Sequence, residues 1–396
     1  MSTKAGVGNS INRNPVEAGK EAVAQALENA GINKPDFLFV FATVGYNQEV
    51  LLKSIREASF GAPLSGCSGE GIITRGTAVE SNFCVAVMAI KSTELRFDNY
   101  YVEDVKNEAG TAGETLAKKI NKKLTADNLA CFIFPDGLTF NFAPFLSMFE
   151  KSLQDKKPLL LFGGLAADNC ESQQTFQYHN DLVLSEAVSC VLMSGIGNIA
   201  WGITHGCIPV GTRRTITKGS GNIIYEIDGM PAIDALSDYF EDGWKTQWNK
   251  ISLNLCLGFK TPENIKSNYG EYVVRYMMSK DGENGSVKIQ TDVVNGTEFW
   301  IVRRDKDLIK NGVRELSRQI TEKIGDKKPK FVLHFDCVGR GKLVFREREK
   351  IKLIKTLQKD IGEDIPWIGF YTYGEIGPVA DSNFSHNLTA VVAAIY

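Results

Sequence analysis

The sequence predicts an α/β protein with mixed sheets, made of two related lobes and an antiparallel β-rich segment around residues 173–215. A unit of strand, helix, Gly-Glu turn and strand occurs twice, around Glu70 and again around Glu375. Short apolar runs typical of buried strands alternate with amphipathic segments of helical period. Between residues 173 and 215 short β-rich segments are punctuated by glycine, which indicates an antiparallel meander.

The Gly-rich turns define the repeated unit. In the first copy a predicted strand over residues 37–41 and a helix over residues 48–58 precede Glu70. In the second, a strand over residues 331–335 and a helix over residues 345–360 precede Glu375. We interpret the pair as an internal duplication that places one carboxylate in each copy. The glycine spacing differs between the copies, so chance recurrence of a common dipeptide is the alternative.

The other predicted elements divide the chain into two domains. The boundary is placed near residue 226, giving a domain of residues 1–225 and a domain of residues 226–396. Apolar periodicity and turn signals predict these elements in order. They are a helix over residues 15–30, a strand over 130–134, a helix over 141–153, a strand over 158–162 and a helix over 306–323.

Composition excludes several classes of protein. The 396 residues carry a net charge of −2, so a nucleic-acid partner is not expected. No apolar run reaches the ~18 residues of a membrane span, and the N-terminus lacks an apolar signal-peptide core. We therefore expect a cytoplasmic protein without membrane insertion. The eight cysteines form no C-x-x-C pair and the four histidines lie far apart, so neither a zinc site nor a disulfide framework is predicted.

An enzymatic reading depends on Cys67 or on the two turn carboxylates. A catalytic thiol needs a base and an electropositive setting, and nothing in the sequence ties a histidine to Cys67. Glu70 and Glu375 could act as an acid/base pair if the turns meet, could bind a cationic group, or could accept hydrogen bonds from their own turns. No catalytic constellation stands out, and we expect a protein that is not an enzyme.

Two basic residues are candidates for ligand contact. His205 lies at a predicted strand end beside Gly206, where pocket residues tend to occur, and one imidazole could hold a haem iron. A structural histidine is the alternative. Arg340 follows a strand and precedes a helix, the usual ligand crevice of α/β units, where a guanidinium could clamp a carboxylate. A salt bridge with Asp336 or Glu347 is the alternative there.

Together these stretches resemble the FIST family (F-box and intracellular signal transduction), with its N-terminal and C-terminal FIST domains. The resemblance covers nearly the whole chain, and it is the ordered set of motifs that is specific. The motifs are Gly66-Cys67-Ser68-Gly69-Glu70, Phe162-Gly163-Gly164-Leu-Ala-Ala-Asp168-Asn169, His205-Gly206-x-x-Pro209-Val-Gly211, Glu226-Ile-Asp228-Gly229-Met-Pro231-Ala232, Asp336-Cys337-Val-Gly339-Arg340, Gly369-Phe-Tyr-Thr-Tyr-Gly374-Glu375-Ile-Gly377 and His386-Asn387-x-Thr389.

The resemblance implies a sensory module that binds a small ligand such as an amino acid. It implies output through a kinase, chemotaxis or cyclic-nucleotide module, and we expect a separate partner such as a histidine kinase because no residues remain for an output domain. One branch of the family resembles haem proteins that sense nitric oxide, so haem on His205 is the rival; otherwise no cofactor or metal is expected. The expected ligand-binding residues are Cys67, Ser68, Glu70, Asp168, Asn169, His205, Arg340, Tyr373, Glu375, His386 and Asn387.

Overall fold

The structure, a computed structural model, describes residues 2–154, 158–239, 248, 252 and 254–396. Its helices are α1 (Pro15–Ala30), α2 (Gln48–Ala58), α3 (Ala109–Asn121), α4 (Phe142–Ser152), α5 (Ala232–Leu236), α6 (Glu263–Tyr269), α7 (Lys306–Ile324) and α8 (Glu347–Ile361). Its strands are β1 (Thr3–Ser10), β2 (Phe37–Ala42), β3 (Leu64–Ser68), β4 (Gly71–Thr74), β5 (Thr77–Val79), β6 (Val85–Ser92), β7 (Leu95–Val102), β8 (Asn128–Pro135), β9 (Leu161–Gly164), β10 (Gln177–His179), β11 (Leu182–Leu184), β12 (Val188–Gly195), β13 (Ile199–Thr204), β14 (Cys207–Ser220), β15 (Ile223–Ile227), β16 (Met230–Pro231), β17 (Leu255–Lys260), β18 (Tyr272–Arg275), β19 (Met277–Lys280), β20 (Val287–Ile289), β21 (Glu298–Arg304), β22 (Phe331–Cys337), β23 (Trp367–Thr372), β24 (Glu375–Val379), β25 (Ser382–His386) and β26 (Ala390–Ile395).

Three of the sheets are copies of one plan. In each copy the order of elements is edge strand, helix, strand, helix, strand. A hairpin that pairs with another sheet follows, and a last strand then returns to the sheet of the copy. Repeat 1 (residues 3–92) forms β1-β6-β2-β3, repeat 2 (95–195) forms β7-β12-β8-β9, and repeat 3 (199–206 and 305–395) forms β13-β26-β22-β23. Hairpin β4–β5 joins the sheet of repeat 3, β10–β11 that of repeat 1, and β24–β25 that of repeat 2. The three repeats are therefore linked in a closed cycle.

Each repeat contains one parallel strand pair, and an equivalent glycine lies in each. The pairs are β2–β3, β8–β9 and β22–β23. Gly66, Gly163 and Gly369 occupy matching positions in the second strand of each pair. A Cβ atom there would lie 1.7, 1.8 and 2.0 Å, respectively, from a carbonyl oxygen of the first strand. These glycines mark the repeat, because no larger residue fits.

The inner faces of the three repeat sheets share one apolar core. The Phe41 ring of repeat 1 lies 5.3 Å from the Phe134 ring of repeat 2, which lies 6.2 Å from the Phe335 ring of repeat 3. The outer faces are covered by α1 and α2, by α3 and α4, and by α7 and α8. Burial on both faces explains why β2 and residues 130–134 of β8 read as continuous apolar runs.

The edge strand of each repeat is capped by the helix that follows it. Asn29 of α1 donates to a β1 carbonyl at 2.8 Å, Lys119 of α3 to a β7 carbonyl at 2.7 Å, and Lys323 of α7 to a β13 carbonyl at 3.0 Å. A capped carbonyl is not available to a strand of another molecule. The same device in all three repeats is further evidence that they share one plan.

Repeat 3 is interrupted by an insertion of residues 207–304, which follows β13 and precedes α7. Its strands form a sheet in the order β18-β17-β21-β14-β15-β20-β19, with β16 paired to β15. β14 and β21, the first and last strands of the insertion, pair antiparallel. The insertion therefore leaves and rejoins repeat 3 at neighbouring points.

The predicted fold class is confirmed, and the repeated unit is present three times. Helices α2 and α4 and the β-rich stretch β10–β14 lie where the sequence predicts them. The predicted boundary at residues 225 and 226 falls within β15, and the division into two domains stays a prediction. None of the helices in the described parts of the chain combines the length and apolar character needed to cross a membrane.

Candidate functional site

The two Gly-Glu turns are crossovers between sheets. The turn with Glu70 connects β3 of repeat 1 to β4 in the sheet of repeat 3, and Glu70 N donates to Tyr371 O at 2.9 Å. The turn before Glu375 connects β23 of repeat 3 to β24 in the sheet of repeat 2, and Tyr373 N donates to Leu165 O at 3.1 Å. Both turns therefore lie where two repeats meet.

The registers show that the two glutamates are not equivalent. Ile73 lies opposite Gly369 and Ile376 lies opposite Gly163, so these isoleucines match. The residue three positions before Ile73 is Glu70, and the residue three positions before Ile376 is Tyr373, so Glu70 and Tyr373 are equivalent. Glu375 is equivalent to a position in β4. The different glycine spacing seen in the sequence is this offset of two residues. The two turns are equivalent crossovers, but different side chains occupy the equivalent positions.

Glu70 is a buried carboxylate, and one of its two oxygens forms an ion pair. Its side chain is 0% exposed, and Oε1 accepts a hydrogen bond from Lys342 Nζ at 3.0 Å. The other oxygen, Oε2, is buried and has no partner at hydrogen-bond length, although the thiol and the backbone N–H of Cys170 lie near the carboxylate. Burial raises the pKa of Glu70, and Lys342 and Cys170 oppose that rise. The side chain of Lys342 is 46% exposed, so this ion pair reaches the surface.

A strained loop lies beside this ion pair. The Tyr373 hydroxyl donates to Asp168 Oδ1 at 2.6 Å and accepts a hydrogen bond from Cys170 N at 2.8 Å. Asn169 and Cys170 both have φ of 59°, a left-handed conformation that costs energy for residues other than glycine. Asp168 stabilises the loop by accepting hydrogen bonds from the backbone N–H groups of residues 172–174. The loop holds the exposed Cys170 near Glu70.

We name the residues around this ion pair the crossover cluster: Glu70, Asp168, Asn169, Cys170, Lys342 and Tyr373. Cys170 is exposed as a residue, but desolvation of its thiol by the groups around it, and then the proximity of Glu70, raise the pKa of this thiol to about 12. Burial and the hydrogen bond to Asp168 raise the pKa of Tyr373 above its usual value. The thiol and the phenol are therefore protonated near neutral pH, and Glu70 and Lys342 form the ion pair of the cluster beside the Asp168 carboxylate.

Glu375 belongs to a different network. It is fully buried, and it accepts hydrogen bonds from Thr372 Oγ1 at 2.5 Å, Thr389 Oγ1 at 2.5 Å and Thr389 N at 3.1 Å. Burial raises its pKa to about 8 despite these donors. Among the described residues, no side chain hydrogen-bonds to both Glu70 and Glu375. Of the roles considered for Glu375, acceptance of local hydrogen bonds is the one its contacts support.

Both candidate histidines lie close to the Tyr269 ring. His386 Nδ1 and the Tyr269 hydroxyl are 3.1 Å apart, and His386 Nε2 lies 2.9 Å from Gly377 O. The His205 ring lies 6.0 Å from the Tyr269 ring, and its Nδ1 accepts a hydrogen bond from Cys207 N at 3.0 Å. Burial lowers the pKa of His386 to about 3 and that of His205 to about 4.

The surroundings of His205 do not fit a haem ligand. Its Nδ1 is used by a backbone N–H, and its Nε2 faces Gly270, where a Cβ atom would lie only 3.2 Å away. An axial imidazole needs a free nitrogen that faces the iron. In the described parts of the chain no group of three or more His, Cys, Asp or Glu side chains could hold a metal ion.

Arg340 is buried rather than open to a ligand. It is 1% exposed, its Nε donates to Asp336 Oδ1 at 2.7 Å, and its Nη1 donates to His205 O. Its Nη2 atom is buried without a partner. Asp336 also faces His334, with Nε2 and Oδ2 3.4 Å apart. The salt bridge considered as the alternative for Arg340 is the arrangement that the structure contains.

The other predicted residues have structural contacts. Cys67 is fully buried, and burial raises its pKa well above the usual value, which is the opposite of what a nucleophilic thiol needs. Ser68 Oγ donates to Ala167 O at 2.8 Å and accepts a hydrogen bond from Phe176 N at 3.0 Å. Asn387 Oδ1 accepts a hydrogen bond from Tyr276 N at 3.1 Å, which ties β25 to the insertion.

The structure thus brings together four of the predicted residues, Glu70, Asp168, Asn169 and Tyr373. Sequence reasoning missed Lys342 and Cys170. Lys342 lies two residues after Arg340 in the same strand-to-helix loop, so the signal that selected Arg340 applied equally to it. Cys170 directly follows the quoted motif that ends at Asn169. Its importance comes from contacts with distant residues, which no local pattern contains.

Comparison with known proteins identifies the family. The FIST N domain matches residues 36–230 and the FIST C domain matches residues 232–378. An uncharacterized protein of Mycobacterium bovis is 25% identical over 98% of both chains. An uncharacterized protein of Methanocaldococcus jannaschii is 24% identical over 95% of this chain and 76% of its own.

Two solved structures resemble the chain weakly. A cyanuric acid hydrolase from A. caulinodans aligns at a TM-score of 0.39 and 11% identity, over 100% of this chain and 99% of that chain. A chorismatase aligns at a TM-score of 0.36 and 8% identity, over 100% and 99%. These values are too low to support a conclusion about function. The two domain matches, in contrast, cover most of the sequence in the expected order. The chain therefore belongs to the FIST family, whose domains are sensors in signal transduction.

Proposed function

We propose that this protein is a cytoplasmic sensor of a small zwitterionic ligand, such as a free amino acid, and that the ligand binds at the crossover cluster. The observation that carries the proposal is the ion pair between the buried carboxylate of Glu70 and the ammonium of Lys342, whose side chain is half-exposed. A zwitterion carries an ammonium that can pair with Glu70 and a carboxylate that can pair with Lys342. It can therefore replace the internal pair with two intermolecular ones.

The unused hydrogen-bonding capacity of Glu70 supports this assignment. Oε2 is buried without a partner at hydrogen-bond length, and a buried polar atom in that state costs free energy. A ligand ammonium that donates to Oε2 would remove this cost and form a charge-assisted hydrogen bond. Lys342, whose side chain is 46% exposed, is free to turn toward a ligand carboxylate.

The sequence-based version of the amino-acid hypothesis assigned the carboxylate to Arg340. Its guanidinium is 1% exposed and paired with Asp336, so a ligand would have to break that pair to reach it. Lys342 is also paired, with Glu70, but its side chain is 46% exposed and a zwitterion supplies a new partner to both members of the pair. Lys342 therefore takes the place of Arg340 in the proposal. Glu70 keeps the role of ammonium acceptor, and Glu375 is left out because two threonines occupy its oxygens.

Signalling requires that the ligand bind one conformation better than another. A ligand that binds two states equally shifts no equilibrium, however tight its binding. Because the crossover cluster combines residues of all three repeats, its occupancy can change how they pack against each other. A separate partner, such as a histidine kinase, a chemotaxis protein or a cyclic-nucleotide enzyme, would respond to that change.

Thermal-shift screening with the standard amino acids, followed by calorimetry on the strongest hit, tests the proposal. Glu70→Gln removes the acceptor charge and Lys342→Met removes the ammonium while retaining most of the side-chain length. Loss of one charge-assisted contact should weaken binding by about tenfold or more. Lys53→Met, at an exposed position on α2, is the matched control and should leave affinity unchanged. Absence of a shift with every amino acid, or equal affinity in Glu70→Gln and the parent protein, would contradict the proposal.

A further inference from the structure

One short loop connects the crossover cluster to both ends of the insertion. We name it the junction loop: residues 338–342, between β22 and α8. Its Lys342 pairs with Glu70, as described above. Its Arg340 donates through Nη1 to His205 O, just before the insertion begins. Its Gly339 O accepts a hydrogen bond from Arg304 Nη1 at 2.6 Å, at the last residue of the insertion.

The points where the insertion leaves and rejoins repeat 3 are also joined to each other. Asp305 N donates to Gly206 O at 2.9 Å, and β14 pairs with β21. The residues on both sides of this hinge therefore form one unit that is held by the junction loop. A displacement of the loop backbone would move both attachment points together.

The junction loop is buried as far as residue 341, and charged groups lie directly against its backbone. Lys342 N donates to Glu80 Oε2 at 2.8 Å, and Glu80 is in turn paired with the buried Lys350 at 2.8 Å. A Cβ atom at Gly341 would lie 2.4 Å from Glu80 Oε1, so the backbone passes very close to this carboxylate. Charged groups thus contribute to holding the loop, together with Val338, which lies in one apolar cluster with Cys207 and Val302 of the insertion. A change in one of those charges alters the forces on the loop backbone.

The insertion also contacts the crossover turn of repeat 3 directly. Gln290 Nε2 lies 3.5 Å from Tyr373 O in that turn, and Tyr276 N donates to the side chain of Asn387, which follows β25. The corresponding loops of the other repeats, residues 43–47 and 136–141, contain no lysine or arginine. A cationic loop occurs only in the repeat that carries the insertion.

We infer that the junction loop transmits occupancy of the crossover cluster to the insertion, so that the insertion is the part of the molecule whose position reports the ligand. This inference rests on the proposed function for the identity of the stimulus. A ligand carboxylate that draws Lys342 away from Glu70 changes the position of the loop. Arg340 and Gly339 then carry the displacement to His205 and Arg304. The insertion shifts as a unit because its two ends are held together.

Hydrogen–deuterium exchange on the full-length protein tests the coupling without a ligand. Lys342→Met releases the loop from Glu70, and we expect exchange of the junction amides Cys207 and Asp305 to rise by about five- to tenfold. Arg304→Met releases the other end and should raise exchange at residues 338–342 by a similar factor. Lys53→Met is the control. Amides of β2 in the shared core report global destabilisation and should stay unchanged in all three variants.

The outcomes separate this inference from the proposed function. Increased exchange at the insertion junction in Lys342→Met, with β2 unchanged, supports coupling whether or not any amino acid binds. Increased exchange confined to the junction loop itself, with Cys207 and Asp305 unchanged in Lys342→Met, overturns the coupling even if amino acids bind at Glu70. A uniform increase that includes β2 also overturns it, because the effect is then loss of stability rather than transmission.

Discussion

The central strands of the three repeats differ in the side chains that face the covering helices. In β2 the helix-facing residues are Leu38, Val40 and Ala42, and those of β8 are also apolar. In β22 the matching positions carry His334 and Asp336, and Asp336 pairs with the buried Arg340. The inner, core-facing residues of all three strands are apolar. The repeats are thus alike on the inner faces, where they pack on one another. They differ on the outer, helix-facing side of the sheet of repeat 3, where charged side chains are buried.

This difference separates what folds the protein from what makes it specific. Two of the three copies show that the architecture needs no buried charge behind the central strand. Burying ions costs several kcal/mol each, which their mutual attraction offsets only with good geometry. Here Arg340 Nη2 and His334 Nε2 lack hydrogen-bond partners, so the compensation is incomplete. The charges in repeat 3 therefore serve something other than stability, and they adjoin the loop that holds the insertion.

The largest expected effect comes from the feature that all repeats share. Gly66→Ala, Gly163→Ala and Gly369→Ala each place a methyl group within 2.0 Å of a carbonyl oxygen. Each should destabilise the protein by more than about 4 kcal/mol or prevent folding. Urea denaturation measures this, with Gly282→Ala as the control because nothing lies within 4 Å of its Cβ position. A mild effect at any one of the three would show that the repeats are not equivalent there.

The next prediction tests the buried charges directly. Asp336→Asn alone leaves Arg340 uncompensated and should cost about 3–5 kcal/mol of unfolding free energy. In the triple change, His334→Val and Asp336→Ala copy Val40 and Ala42 of repeat 1, and Arg340→Met removes the guanidinium. We expect this variant to be neutral or stabilising by about 1–4 kcal/mol. Chemical denaturation compares the two variants. A triple variant less stable than Asp336→Asn would mean that the charges do stabilise repeat 3.

A smaller effect is expected from pH, through the second turn glutamate. The folded-state pKa of Glu375 is about 8 against a usual value of 4.5, because it is buried. Between these values the folded protein holds a proton that the unfolded chain lacks, so stability falls as pH rises through this window and then levels off. The slope from this group is about 1.4 kcal/mol per pH unit.

Glu375→Gln isolates that contribution from the histidines. His386 has a lowered pKa of about 3, so it acts in the opposite direction at acid pH, but it is common to both proteins. The difference in unfolding free energy between parent and Glu375→Gln, measured from pH 5 to pH 9, should decline toward pH 8. A difference that is independent of pH would show that Glu375 is already ionised at pH 5.

The smallest expected effect concerns the cysteines. Cys170 is exposed whereas Cys67 is fully buried, so iodoacetamide should label Cys170 first in the native protein. Labelling should be slower than that of a free thiol, because the pKa of Cys170 is raised to about 12. Cys170→Ser should change stability by less than about 0.5 kcal/mol. Mass spectrometry of the labelled protein locates the site, and rapid modification of Cys67 would restore the enzymatic hypothesis.

The sequence predicts most of the local structure and part of the site. Apolar runs locate the central strands, and the Gly-Glu turns locate two of the crossovers. The third crossover lacks the Gly-Glu signal, because its turn carries Ala166-Ala167-Asp168 after Gly163-Gly164, without a glutamate. The signal that does mark all three repeats is one glycine per strand pair, and a lone glycine is too common to recognise without the paired strand.

The site was harder to predict because its members come from distant parts of the chain. Glu70, Cys170, Lys342 and Tyr373 belong to turns and loops of all three repeats, and only the cyclic exchange of hairpins brings them together. The recurring Gly-Glu dipeptide predicts that Glu375 is the counterpart of Glu70. The dipeptide repeats in sequence, but the strand registers place its second copy two residues further along.

A crystal structure of the protein with the amino acid that gives the largest thermal shift tests the central claim most directly. We predict ligand density between Glu70 and Lys342, with the ammonium group on Glu70 Oε2, the carboxylate on Lys342 Nζ, and the Arg340–Asp336 pair unbroken. Density at Arg340 or at Glu375, with the Glu70–Lys342 pair intact, would contradict the account.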